Sequence, residues 1–210
     1  FPSRISCIMG DSHGYLWIGT RSGLGRHDGN HLKKYMLNEV DTLHLPGEEI
    51  YSIMEDADHD LWVMTNGGTA RYDYLTDRFY PLTDGEGNIV HAHAGCSWKK
   101  GFLLDNGSRI LYYDKTEKKL SPLCELPDFR WANKLCLIDE QTLLVQNRSN
   151  SVIRIALDKG EVDINTFHTS FPSTDLFVDS LHQIWISTAG DGLHCFSPDG
   201  TPLHHYTTAN

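Results

Sequence analysis

The stretch DSHGYLWIGTRSGL runs from Asp11 to Leu24, and DADHDLWVMTNGGT runs from Asp56 to Thr69. Each places an Asp six residues before a Trp and a Thr three residues after it. A chain that repeats itself at a fixed spacing is constrained more by that spacing than by any single motif. Superimposed at a shift of 45, Ile5, Ile8, Met9, Asp11, Leu16, Trp17, Thr20, Gly23, Arg26 and Asp28 face Ile50, Ile53, Met54, Asp56, Leu61, Trp62, Thr65, Gly68, Arg71 and Asp73. A third copy, DSLHQIWISTAGDGL, keeps the spacing at Asp179, Trp185 and Thr188.

Trp185 stands 123 residues after Trp62, room for two weaker copies. GFLLDNGSRILYYD places Phe102 in the Trp slot, and LIDEQTLLVQNRSNSVIRI places Leu144 there. The anchors Trp17, Trp62, Phe102, Leu144 and Trp185 are then 45, 40, 42 and 41 residues apart. Each unit reads as four short strands. In the first these are ISCIM, LWIGT, LGRHD and HLKKYM, separated by turns at DSHG, RSG and GN. Apolar runs this short, bounded by Gly, Asp, Asn and Ser, carry no helical period. A four-stranded sheet of about 42 residues does not bury both of its faces alone, whereas radially stacked sheets cover one another. The expected fold is therefore all-β, a β-propeller of about five blades spanning approximately residues 4–37, 49–83, 89–124, 133–168 and 173–208. The large apolar residue of the second strand is expected to fill the space between blades.

Composition narrows the function classes. Of 210 residues 40% are hydrophobic, enough for a packed core. The formal charge of −10, with no basic block, argues against nucleic acid as a partner. No apolar run approaches the roughly 20 residues of a membrane span, so membrane attachment is expected only through segments outside this chain. The five cysteines form no C-x-x-C pair, and Cys7 and Cys195 are expected to be small core residues.

The pattern I-x-x-I-x-x-D-x-x-G-x-L-W-I-G-T-x-x-G-L, as it stands in the first unit, resembles the two-component regulator propeller repeat. That resemblance implies the periplasmic sensor region of a hybrid two-component system of Bacteroides type, in which seven-bladed propellers detect oligosaccharides and control polysaccharide-degradation genes. Five units against seven imply a stretch of a longer sensor. The resemblance further implies an oligosaccharide ligand, a homodimer formed through the whole sensor region and no cofactor.

In four-stranded blades the loops after strands 2 and 4 emerge on one face, a usual place for a small ligand. The positions following the Thr slot are Arg21, Asn66, Asn106, Arg148 and Ala189, and four of these carry planar donor groups suited to hydroxyls or carboxylates. The loop LPDFRWANK adds Phe129, Arg130 and Trp131 outside the repeat slot, where an aromatic ring could stack on a sugar. The candidate ligand residues are thus Trp131, Arg130, Arg21, Asn66, Asn106 and Arg148. Trp98 is also off the slot and is expected in the turn between strands 1 and 2, where a subunit contact is an equal reading. His91 and His93 in HAHAG are expected on one side of a strand, and His204 and His205 on opposite faces. Neither pair shows a third ligand at suitable spacing, so no metal is expected.

Two other function classes remain. A propeller glycosidase needs two carboxylates facing one sugar, and its candidates are Glu48, Glu49 and Asp175. The repeated Asp of each D-x-x-G turn lies on the other face and reads as structural. A purely structural or protein-interaction propeller is the second alternative, since a fold does not by itself imply a function. The expected reading is a sensor segment without catalytic residues.

Overall fold

The computed structural model describes residues 4–37, 44–126, 131–147, 150–159 and 161–208. They form five antiparallel four-stranded sheets, each with its strands in chain order. The first holds β1 (Ile5–Gly10), β2 (Leu16–Thr20), β3 (Gly23–His27) and β4 (Leu32–Tyr35), and the second β5 (Ile50–Glu55), β6 (Leu61–Thr65), β7 (Gly68–Asp73) and β8 (Arg78–Pro81). The third holds β9 (Ala94–Trp98), β10 (Gly101–Asp105), β11 (Arg109–Asp114) and β12 (Lys119–Glu125). The fourth holds β13 (Lys134–Asp139), β14 (Thr142–Gln146), β15 (Ser151–Ala156) and β16 (Glu161–His168), and the fifth β17 (Ser173–Val178), β18 (Ile184–Thr188), β19 (Leu193–Phe196) and β20 (Pro202–Tyr206). This is a β-propeller fold, and each sheet is one blade.

The chain divides into two compact units, one of residues 1–106 and 110–122 and one of residues 107–109 and 123–210. Blades 1 to 3 belong essentially to the first and blades 4 and 5 to the second. In the first unit, Trp17 packs fully buried among Ile53, Tyr72 and Phe79 of blade 2. Trp62 in turn packs on Phe102 and Tyr113 of blade 3, with ring centroids 4.6 and 6.3 Å away. In the second unit, Leu144 and Phe167 meet Leu176, Ile184 and Ile186 of blade 5. The slot residue of the second strand thus fills the interblade core, as its size and period require.

The Asp of the first turn holds this Trp in place. Asp56 Oδ1 accepts the amides of Asp58 and Asp60, while Oδ2 accepts Trp62 Nε1 at 2.8 Å. Asp11 bonds Trp17 Nε1 at 2.6 Å, and Asp179 bonds Trp185 Nε1 at 2.9 Å. An indole N–H buried without an acceptor costs about 1–3 kcal/mol, so the six-residue spacing from Asp to Trp has a physical cause. The following blade adds a further donor. Tyr74 Oη reaches Asp11 at 2.7 Å, and Lys115 Nζ reaches Asp56 at 2.7 Å, both from the residue just after the third strand of their blades.

Close approach explains one glycine. A Cβ on Gly19 would stand 2.5 Å from Cys7 Sγ and 2.7 Å from Ile50 Cγ2. Cys195 is fully buried, and Cys7 packs partly buried against the core of the first unit. Burial pushes the Cys7 thiol up to about 11, so it behaves as a small apolar group rather than a thiolate.

Two expectations are corrected. Strand β9 begins at Ala94, so His91 and His93 lie in the preceding loop and not on one side of a strand. Trp98 is the last residue of β9, paired with Gly101, rather than part of a turn. It is only 6% exposed and packs edge-on against Tyr112 at 5.1 Å, so its indole is used inside its own blade.

Candidate functional site

In blades 2 to 5 the loop leading into the first strand is latched to the end of the second strand of the same blade. Asn66 N donates to Glu49 O at 3.0 Å, His93 N to Asp105 O at 3.0 Å, Asn133 N to Gln146 O at 2.8 Å and Ala189 N to Pro172 O at 3.0 Å. Backbone groups that find no ladder partner are satisfied in this way, and the loops after strands 2 and 4 come to one end of each blade.

In the first unit this end gathers Arg21, Glu49 and Asn66. Arg21 Nε lies 3.5 Å from Glu49 Oε1, and Asn66 Oδ1 accepts the Glu49 amide at 3.2 Å. The Asn66 side chain therefore shapes the loop around a carboxylate weighed above as a possible catalytic group, while Arg21 and Glu49 remain partly exposed. Asn106 lies at the start of the β10–β11 turn and is exposed. Tyr51 stacks on His93 at 4.5 Å, and burial followed by the neighbouring His91 holds the His93 pKa below its usual value.

In the second unit the same end carries Trp131, which is 55% exposed, three residues before β13. Phe171, 45% exposed, stands at the corresponding place two residues before β17. Trp17, Trp62 and Phe102 in the repeat slots pack into cores, whereas these two lie off the repeat and stay largely open to solvent. Phe171 rests over the next turn, since a Cβ on Gly190 would come within 2.9 Å of its ring. Polar groups flank the loop before β17. Asn150 Nδ2 donates to Ser170 O at 3.4 Å, and Thr169 Oγ1 donates to Phe171 O at 2.7 Å. A flat apolar ring beside amides and hydroxyls offers a pyranose both a stacking face and hydrogen bonds. Phe129, Arg130 and Arg148 lie outside the described residues. Asp175, the other acid considered for catalysis, pairs with Lys134 at 2.8 Å.

Sequence reasoning missed two features of this unit. Phe171 went unremarked although it too lies off the repeat slot, because the exposure of a loop phenylalanine is decided by what packs around it in three dimensions. A cluster of Asp191, His194 and His205 also forms, with a ligand atom of each within 4.8 Å of the others. Only the β19–β20 register, in which His194 faces His205, brings these three together. His205 and His204 do point to opposite sides, with His205 stacked on His194 at 4.0 Å and His204 set against Tyr206 at 6.0 Å.

One groove of about 500 Å³ lies on blade 4, lined by Thr142, Arg154, Ala156, Glu161 and Asp163. Arg154 faces Leu144 across the strands as Arg26 faces Trp17 and Arg71 faces Trp62. The groove thus occupies the face on which other blades carry an indole.

No helix among the described residues is long and apolar enough to cross a membrane. Among curated proteins no match was found. Solved structures match along nearly the whole chain. The extracellular domain of a hybrid two-component system from B. thetaiotaomicron aligns with a TM-score of 0.77 at 20% identity, over 96% of this chain and 30% of that one. A second such domain from B. thetaiotaomicron aligns with a TM-score of 0.77 at 19% identity, over 98% of this chain and 31% of that one. This chain therefore spans about a third of those domains. A streptogramin B lyase aligns with a TM-score of 0.72 at 15% identity, over 100% of this chain and 71% of the lyase. At these identities the likeness shows the fold, and enzymes share it with sensors. The family model described as two component regulator propeller matches residues 1–22 and 44–67. Residues 1–22 and 44–67 thus match the two-component regulator propeller repeat that the D-x-x-G and LWIGT spacing resembles, within a chain of β-propeller fold.

Proposed function

We propose that this chain is a ligand-sensing, extracytoplasmic propeller segment of a hybrid two-component signalling protein, and that its ligand is an oligosaccharide. The periplasm is its compartment, and the full sensor region works as a homodimer around a larger, seven-bladed propeller. The observation that carries the ligand class is the pair of exposed aromatic rings, Trp131 and Phe171, on equivalent loops of blades 4 and 5. Both rings lie off the repeat slot with much of their surface open to solvent, and the C–H face of a sugar would cover such a ring in water. The salt bridges that hold Glu49 and Asp175 support a binding rather than a catalytic role. Ligand capture would act on signalling by favouring one of two dimer arrangements over the other.

Thermal unfolding of the chain against a panel of plant and host oligosaccharides tests this reading. A ligand at about 100 times its Kd adds roughly 2.7 kcal/mol to stability, a rise of about 5–11 °C for a chain of this size. Trp131→Ala and Phe171→Ala should remove that rise without lowering the ligand-free midpoint. A glycan that raises the midpoint equally in both variants would place recognition elsewhere, and product formation from any glycan would favour a glycosidase.

A further inference from the structure

Blade 5 holds a side-chain cluster that the sensing proposal does not use. Asp191 lies in the β18–β19 turn, His194 on β19 and His205 directly across from it on β20. His194 Nε2 is 3.2 Å from one Asp191 carboxylate oxygen, and His205 Nε2 is 3.4 Å from the other. Ligands bound to one ion at about 2.0–2.2 Å stand roughly 3–3.5 Å from each other at tetrahedral or octahedral angles. The two nitrogen–oxygen edges observed fall in that range.

The turn that carries Asp191 is rigid. Asp191 N donates to Thr188 Oγ1 at 2.9 Å, Thr188 N and Oγ1 both bond Gly192 O at 3.0 Å, and Gly192 has a φ of +74° that favours glycine. His194 is the second fixed member, its side chain 13% exposed. Its Nε2 is shut off from solvent and, although 3.2 Å from a carboxylate oxygen, makes no hydrogen bond. A buried ring nitrogen in that state is destabilising unless something else coordinates it. His205 is the adjustable member, with a side chain 43% exposed. Its ring lies nearly parallel to that of His194, with centroids 4.0 Å apart and planes at 15°. His205 Nε2 bonds Asp191 O at 2.7 Å. An imidazole lone pair lies in the ring plane, so His205 must give up that bond and tilt for both nitrogens to meet one ion, which its exposed position on strand β20 permits.

We propose that Asp191, His194 and His205 bind one divalent transition-metal ion, with both imidazoles neutral and the carboxylate as anionic ligand. Two imidazoles and one carboxylate suit zinc, nickel, cobalt or copper better than calcium or magnesium, which prefer all-oxygen shells. Three protein ligands leave at least one position open to water. The ion would tie the β18–β19 turn to strand β20, close to the loop that carries Phe171, since that ring packs over Gly190.

Titration of the metal-free full chain with cobalt(II) chloride, followed by visible absorbance, tests the assignment, with zinc chloride calorimetry as the second measurement. The expected result is one equivalent bound, a d–d absorption band, and at least a tenfold loss of affinity in His205→Asn and in Asp191→Asn. Both variants change partly exposed side chains, and their melting in EDTA should match the parent chain. His194→Asn should lose the band as well, but its position in blade 5 makes the two exposed variants the deciding ones. Absence of uptake at 100 micromolar ion, about the weakest affinity worth calling a site by the usual scale of dissociation constants, would overturn the proposal. Uptake unchanged in His205→Asn and Asp191→Asn would overturn it equally, by placing the ion on other histidines.

Discussion

Lys115→Met tests how blades 2 and 3 are joined. The Lys115 ammonium lies 2.7 Å from Asp56, 2.7 Å from Asp58 and 2.8 Å from Asp60. Its side chain is 19% exposed and that of Asp56 only 1%. Removing one partner of a buried ion pair costs about 3–5 kcal/mol, because the other charge is left without compensation. Two features lower the figure here. Asp56 keeps the Trp62 indole and the amides of Asp58 and Asp60 as donors, and Asp58, 72% exposed, stays solvated. The expected loss is about 2–3 kcal/mol, or about 4–12 °C in midpoint. The pH dependence is a second signature. Burial opposes it, but the Lys115 and Arg71 contacts hold the Asp60 pKa below its unfolded value. Burial likewise opposes the Lys115 shift, yet its three carboxylates raise that pKa above the unfolded value. The carboxylate part of the contribution is present above the unfolded Asp value and lost as pH falls through the folded one. The lysine part is present below the unfolded Lys value and lost only as pH rises past the folded one. The network therefore contributes fully between about pH 4 and pH 10. Denaturant unfolding at pH 7 and pH 3 should show the gap between parent and variant closing on acidification. A loss under about 0.5 kcal/mol at pH 7, or a gap equal at both pH values, would refute the reasoning.

Other outcomes follow from the same structure. Trp62→Phe should destabilise by about 1–3 kcal/mol through the lost bond to Asp56, and more than Trp185→Phe, whose ring is only half-buried; urea midpoints rank the two. Gly19→Ala should cost about 1–3 kcal/mol, because its Cβ would strike Cys7 and Ile50 between blades 1 and 2; the cost should fall in a Cys7→Ala background, where the nearer obstacle is removed. Asp77 accepts hydrogen bonds from Lys33, Tyr72 and Tyr35, which outweigh its burial and hold its pKa at about 2. Its folded value is depressed, so its contribution is complete above about pH 4 and lost as pH falls toward 2; Asp77→Asn should flatten that part of the acid-unfolding curve. Trp131→Ala should leave the ligand-free urea midpoint within about 0.5 kcal/mol of the parent, since the side chain is mostly exposed.

How much was legible depended on whether a feature obeys the period. The interblade position of Trp17, Trp62, Phe102 and Leu144 follows from the anchor spacing, because each blade must bury the same slot. The D-x-x-G turn was legible as structure, though not the side-chain bond from its Asp to the indole six residues on. His91 and His93 were misread because alternation in HAHAG imitates a strand, whereas latching of the loop to Asp105 delays the strand to Ala94. Trp98 was misread as part of the turn, since the β9–β10 hairpin turns tightly at Lys99 and Lys100 and keeps the indole's residue paired at the strand end.

By itself the sequence determined the architecture: five copies of one apolar and turn pattern leave a small sheet few ways to cover its faces other than another copy of itself. Register and cross-blade reach were decided only by the tertiary structure. Tyr74 and Lys115 share a position after the third strand but no chemistry, so no repeat search would pair them with Asp11 and Asp56. Asp191, His194 and His205 meet because one hairpin places positions 194 and 205 opposite each other. The physical reason is one of range. A periodic burial pattern is written locally along the chain, whereas the directions of hydrogen bonds and metal-ligating nitrogens exist only once distant strands are set side by side.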